Sequence, residues 1–251
     1  MDQFVVPSVI PSVVHDVATL ASITPARERT VPVEPALSQL FPEAGLQRGH
    51  VIGCRGVAAR TAALALTARA VTEGAWLAVV GLDDLGVEAA TELGIPAERV
   101  VAIAAATPRE WAERTAAAAD GFELIITTLP TGAERGLRKV RQRLQARGSV
   151  LIVVPPATTT VRNVRPGSGA GGFGFDVEVA TSHGEWLGIG EGHGRLVARR
   201  VGVRSSGRRI PRPVTIDCWL PGPDGRVDIV QTGQVTLVED DVVDDTVSRA
   251  S

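Results

Sequence analysis

A chain of 251 residues with a formal net charge of −2, 44% hydrophobic and 22% charged, has the balance of a globular protein able to bury a substantial core. That charge speaks against a generally basic nucleic-acid binder and leaves only local patches to consider. No apolar run approaches the roughly 18 residues that cross a bilayer. The opening MDQFVVPSVIPSVVHD has no basic segment and is broken by Pro7 and Pro11, which reads against a signal peptide. Cys54 and Cys218 stand far apart without metal-ligand spacing, the usage expected of a cytoplasmic protein without a metal.

In chain order, a short helix is expected over Ser12–Ala21. A linker punctuated by Pro and Arg, TPARERTVPVEP, follows, so residues 1–36 read as an N-terminal helix and linker. From Leu37 strands and helices alternate. HVIGC, Trp76–Gly81, Arg99–Ala104, Phe122–Leu129 and Val150–Val154 read as buried strands. Ala58–Thr72, Leu85–Leu93, Pro108–Ala119 and Ala133–Ala146 read as helices between them. Thr107, Pro108 and Glu110 predict a capping box at the third of these. Asp83 or Asp84 is expected to cap the second. Near-continuous apolar strands with one helix per crossover predict an α/β fold, a mainly parallel sheet covered by helices on both faces.

Past Pro155–Pro156 the pattern changes. The glycine-dense stretch Ala157–Gly174 has no apolar periodicity and reads as a long loop. Shorter strands follow at Asp176–Ala180, Glu185–Ile189, Arg195–Arg204, Val214–Leu220, Arg226–Gln231 and Gln234–Val238, as antiparallel hairpins extending the sheet. Residues 37–238 thus form one domain, and the acidic tail 239–251 reads as disordered or ordered by a partner.

The strand HVIGC runs into Gly53-Cys54-Arg55-Gly56 and then an alanine-rich helix holding Arg60 and Thr61. A phosphate-binding loop belongs at such a junction, with backbone N–H groups around the phosphate and a lysine reaching its far end. That lysine is absent. The chain holds one lysine, Lys139, on another helix, and a guanidinium at Arg60 is too bulky to replace a slim ammonium. The strand FELIITTL ends in Thr127, Thr128 and Leu129, where a metal-orienting carboxylate is expected in a working site. The loop therefore reads as degenerate, and neither ATP nor Mg²⁺ is expected as a cofactor.

GLQRGHVIGCRGVAARTAALAL, EGAWLAVVGLDDLG and GFELIITTL resemble the core of RecA-type recombinases, and RLVARRVGVRSSGRRIPRPVTIDCWLPG is similar to a hairpin of that fold. The CRGxAA turn and EGAWLAVVGL are similar to the ImuA-type family, RecA- and SulA-related accessory factors of the mutasome in actinobacteria. This resemblance implies a RecA-like core. It also implies a non-catalytic role in translesion synthesis within the SOS response to DNA damage. The implied partners are an ImuB-like, Y-family-related protein and an error-prone polymerase. An active ATPase with a deviant loop and a SulA-like inhibitor of cell division are the alternative expectations.

Three surfaces are candidates for single-stranded DNA or a protein partner. Arg162, Asn163 and Arg165 sit in the glycine-rich loop. Arg199, Arg200, Arg204, Arg208, Arg209 and Arg212 cluster on a hairpin, with Arg200 and Arg204 on one strand face. In the tail, Glu239, Asp240, Asp241, Asp244 and Asp245 suit a basic partner or the chain's own basic hairpin. The helix near Lys139 sets Leu137, Val140 and Leu144 opposite Arg135, Arg138, Lys139 and Arg143, the pattern of a solvated outer face. His183 and His193 have no companion at metal spacing.

Overall fold

The computed structural model describes residues 29–156, 174–190 and 193–230. The expected Ser12–Ala21 helix, the strand Gln234–Val238 and the acidic tail lie outside them, as does the glycine-rich loop except for Gly174.

Among the described residues, nine strands make one mixed sheet. Its parallel part comprises β3 (Val51–Gly56), β4 (Leu77–Val80), β5 (Val100–Ile103), β6 (Leu124–Thr128), β7 (Val150–Val154) and β8 (Val177–Gly190), set side by side as β5-β4-β6-β7-β3-β8. Beyond β8, β9 (His193–Ser206), β10 (Val214–Trp219) and β11 (Asp228–Ile229) continue it antiparallel. Alternate residues of the parallel strands serve two cores. Ile52, Leu77, Val79, Ile126 and Ile152 pack on one face with helix α2 (Ala59–Thr72) and α3 (Val87–Glu92). Val51, Ala78, Val80, Ile125 and Leu151 pack on the other with α4 (Pro108–Gly121) and α5 (Glu134–Arg147). Burial on both faces is why these strands read as unbroken apolar runs.

Helix α2 is alanine-rich because it is covered on both sides. Ten of its fourteen residues are buried, between the sheet and a small layer formed by β1 (Thr30–Pro32), α1 (Pro35–Ser38) and β2 (Gly45–Gln47). Part of the expected linker is therefore structured. Thr30–Pro32 pairs antiparallel with Gly45–Gln47, and Val31 and Val33 join the core. Such a helix shows little amphipathic contrast.

At α4 the capping box forms as expected. Glu110 N–H donates to Thr107 Oγ1 at 3.2 Å, and the Glu110 carboxylate accepts the Thr107 N–H at 3.3 Å. Helix α3 departs from expectation. It starts at Val87 with Gly86 at the cap position and no side-chain cap, so neither Asp83 nor Asp84 caps it. The two short strands expected at Asp176–Ala180 and Glu185–Ile189 are one long strand, β8, with irregularities at Ser182/Gly184 and Leu187/Ile189. The polar SHG stretch is a bulge, with His183 at φ 28°, where a turn would be read from composition. Arg226–Gln231 shortens to Asp228–Ile229. No described helix is long and apolar enough to cross a membrane.

Candidate functional site

The junction of β3 and α2 is held by residues far away in sequence. Gly56 has φ +98°, and a Cβ there would lie 1.8 Å from the carbonyl oxygen of Thr181 on β8, so glycine is required by both conformation and space. Thr181 Oγ1 accepts the Ala58 N–H at 2.9 Å and donates to the Arg55 carbonyl at 3.0 Å. The Thr181 carbonyl accepts the Val57 N–H at 3.4 Å. Ala58 is the N-cap of α2 and has no side-chain acceptor of its own. Thr181, on the neighbouring strand, takes the N–H of the N-cap residue itself, the bond that an N3 Glu makes in a capping box. Two N–H groups that a phosphate-binding turn would offer to a ligand are bonded to Thr181.

A second residue from the hairpin reaches the same turn. Arg199 on β9 donates from Nη2 to the Val57 carbonyl at 3.2 Å and lies 5.3 Å above the Trp186 ring. Burial lowers its pKa from the usual arginine value, and its Nε has no described partner. Trp186 itself is 38% exposed.

The other loop residues are structural in their contacts. A Cβ on Gly53 would meet the Phe175 ring at 2.5 Å, so the glycine admits that ring. Cys54 is buried and its thiol is pushed up to about 12 by burial. Arg55 pairs with Glu178 at 2.6 Å. Arg60, in the first turn of α2, pairs with Asp84 at 2.5 Å, so the carboxylate expected as a cap holds a guanidinium. Thr61 is the next residue on α2 and half-buried. At the end of β6, the Thr127 hydroxyl accepts from Trp111 Nε1 and donates to the Val80 carbonyl, both at 2.8 Å. It bonds α4 to the sheet where a metal-orienting acid would stand.

The basic hairpin is not one patch. Arg199 is drawn into the β3–α2 turn. Arg200, opposite Trp219 and near the same end, pairs with Asp217 at 2.9 Å. Arg208 lies past the other end of β9 and reaches Asp176 at 3.2 Å. Arg204, Arg209 and Arg212 are exposed, and no described residue forms an ion pair with them. Arg162, Asn163, Arg165 and the acidic Glu239, Asp240, Asp241, Asp244 and Asp245 lie outside the described residues. On α5, Val140 and Leu144 are buried, and Arg143 and Arg147 both pair with Asp120 at 2.8 and 2.9 Å. Lys139 and Arg138 are exposed; the Arg135 side chain is outside the description. His183 is exposed on its bulge, and no three His, Cys, Asp or Glu residues gather to hold a metal among the described residues.

Sequence reasoning missed Asp176. It is 7% exposed and accepts the Val51 N–H at 3.0 Å and Arg141 Nη1 at 3.1 Å, besides Arg208. One carboxylate thus ties β3, α5 and the β9–β10 turn to the start of β8. The only signal for it was an acid at the start of an apolar strand.

Comparison with known proteins adds one likeness. Residues 39–159, from just before β2 to just past β7, match the family described as MT3502 N-terminal domain. No curated protein matches the chain.

Proposed function

We propose that the chain is a non-catalytic, RecA-like accessory protein of DNA-damage-induced mutagenesis. It scaffolds an ImuB-like, polymerase-associated partner and brings it to damaged DNA. One observation carries the non-catalytic part: Thr181 is bonded to the N–H of Ala58 and the carbonyl of Arg55 inside the β3–α2 turn. A triphosphate needs those amides free and a slim cation at its far end. Thr181 takes the Val57 and Ala58 amides of this turn, and its one nearby cation in the first turn of α2, Arg60, is paired with Asp84. The parallel sheet covered on both faces and extended by antiparallel strands supports the RecA-like core. The role in mutagenesis rests on the likeness of CRGxAA and EGAWLAVVGL to the ImuA type. A scaffold of this kind acts by raising the effective concentration of a polymerase at its template.

Two measurements test the reading. Mg-ATP at saturating concentration should leave the melting temperature unchanged, whereas a ligand at 100 times its Kd adds about 2.7 kcal/mol. A tagged chain recovered from DNA-damaged cells should bring a polymerase-associated protein with it. ATP turnover lost on replacing Arg60 and Thr61 by alanine would replace this reading with that of a deviant ATPase. Filamentation on overexpression without damage, with no polymerase-associated partner recovered, would favour the division-inhibitor reading.

A further inference from the structure

The sheet edge farthest from the β9–β11 hairpins ends on β5, which among the described residues pairs only with β4. Across that ladder the Ile103 carbonyl accepts the Gly81 N–H at 2.9 Å. By strand alternation, Ala102 therefore turns its N–H and C=O outward, away from β4. No described residue bonds them.

Against this open edge lies a cavity of about 390 Å³ between α2, α3 and β5, within the roughly 300–1,000 Å³ of ligand pockets. Its walls are apolar: Leu64, Leu77, Val79, Leu82, Leu85 and Val100. Val87 at its rim is 63% exposed. The one charged side chain on the lining is Asp83, which is exposed. Glu88 and Glu98, also exposed, flank it beside Val87 and Ala97, and α3 carries no basic residue. The nearby cations are engaged elsewhere: Arg60 pairs with Asp84 at 2.5 Å, and Arg99 lies 5.6 Å above the Trp76 ring and donates to the Gly74 carbonyl at 2.6 Å.

We propose that this edge binds an extended, basic segment of a partner protein as an added strand on β5. One large apolar side chain fills the cavity, and Lys or Arg residues of the segment face Asp83, Glu88 and Glu98. Each feature selects one property of the occupant. Open backbone groups on a strand edge select an extended chain, and an adjoining pocket selects a side chain at alternate positions. The acidic rim selects the sign of its charge. By that criterion the termini of a second copy are poor occupants. The first Lys or Arg from the N-terminus is Arg27, preceded by Asp2 and Asp16, and the C-terminal tail is acidic. The inference rests on the scaffold reading and gives it a docking site.

The test pans a displayed library of twelve-residue peptides against the full chain, then measures an enriched, fluorophore-labelled peptide by anisotropy. Enriched sequences should be basic and share one large apolar residue. Ala102→Pro removes the outward N–H without breaking a bond to β4 and should weaken binding at least tenfold. The double reversal Asp83→Lys with Glu88→Lys should do the same, with the loss shrinking at high salt. Both reversed positions are exposed, so this variant keeps the test valid if proline loosens the strand; far-UV circular dichroism checks folding. Acidic or anchorless peptides, no binder, or binding indifferent to both variants would overturn the proposal. Self-association abolished by Ala102→Pro would give the edge to a second copy and overturn it too. ATP turnover would sink the scaffold reading while leaving peptide binding intact. Failure of peptide binding leaves recovery of a polymerase partner to judge that reading separately.

Discussion

Thr181→Val separates a residue that merely fills space from one that holds the β3–α2 turn by its hydroxyl. Thr181 is 5% exposed, and valine keeps its branched shape but has nothing to offer Ala58 N–H or the Arg55 carbonyl. Each polar group stripped of its partner in a buried setting costs about 1–3 kcal/mol. With two such groups, one of them on half-buried Arg55, the expected loss is about 2–4 kcal/mol. Thr181→Ser keeps both bonds and removes one methyl, at a cost of about 1 kcal/mol. A domain of this size loses about 2–4 °C in Tm per kcal/mol. Valine should therefore lower Tm by about 4–16 °C and serine by about 2–4 °C. Urea melts followed by circular dichroism at pH 7 give the same ordering in free energy. Equal losses for the two variants, or a larger one for serine, would show that the hydroxyl does not secure the turn.

Asp176→Asn leaves Arg141 and Arg208 without their carboxylate. Breaking a buried pair costs about 3–5 kcal/mol, but Arg208 is 66% exposed and water replaces much of its partner. The expected loss is about 2 kcal/mol in a urea melt, and a loss indistinguishable from zero would remove Asp176 as the tie between β3, α5 and the β9–β10 turn. His50 gives a pH signature. Burial lowers its pKa from 6.5, outweighing the raising effect of Asp176, while Arg209 and Arg141 lower it further and Glu43 raises it. The unfolded chain therefore takes up the proton first as pH falls. The stabilisation is complete above about pH 6.5 and is lost as pH falls through the folded pKa. His50→Gln should flatten that part of a stability-versus-pH curve, and an unchanged slope would contradict the assignment. Both thiols are held unreactive: burial pushes Cys54 and Cys218 up to about 12, with the Asp217 charge adding to the effect at Cys218. Iodoacetamide at pH 8 should label neither until urea unfolds the chain, and native labelling at the rate of a free thiol would refute this.

The elements that were legible in the sequence are those governed by local rules. The β4, β6 and β7 strands announce themselves because burial on both faces leaves no polar alternation, and Thr107, Pro108 and Glu110 carry the start of α4 within four residues. The continuous β8 strand was illegible because its bulge uses Ser182, His183 and Gly184, residue types that composition assigns to turns. The α3 start was misread because Asp84 had a competing partner, Arg60, that only the fold brings near. At the site, the lack of any lysine in the turn is plain from the sequence, whose one lysine is Lys139. Thr181 and Arg199 are not plain from it, since they lie more than 120 residues from the turn they close.

Two residues of the β8–β9 hairpin, Thr181 and Arg199, bond the backbone of the β3–α2 turn. Pairing of β3 with β8 runs on as far as Gly56 opposite Thr181, so the register itself delivers a hydroxyl to the mouth of α2. Antiparallel return along β9 then brings Arg199 back to the level of Trp186, from where its guanidinium reaches Val57 O. A phosphate entering the turn would have to take the Ala58 N–H from Thr181, leaving that hydroxyl with only its bond to the Arg55 carbonyl at a residue 5% exposed. It would then gain only the pull of guanidinium groups already committed to Val57 O and Asp84. The first step alone costs about 1–3 kcal/mol. Arg60→Lys alone would therefore not create a nucleotide site; combined with Thr181→Ala it supplies the ammonium and frees the Ala58 N–H, while the Val57 N–H stays on the backbone carbonyl of residue 181. A gain in Mg-ATP binding by that double variant, with none for Arg60→Lys alone, is the expected result. Binding by the single variant would show that the hairpin does not close the turn.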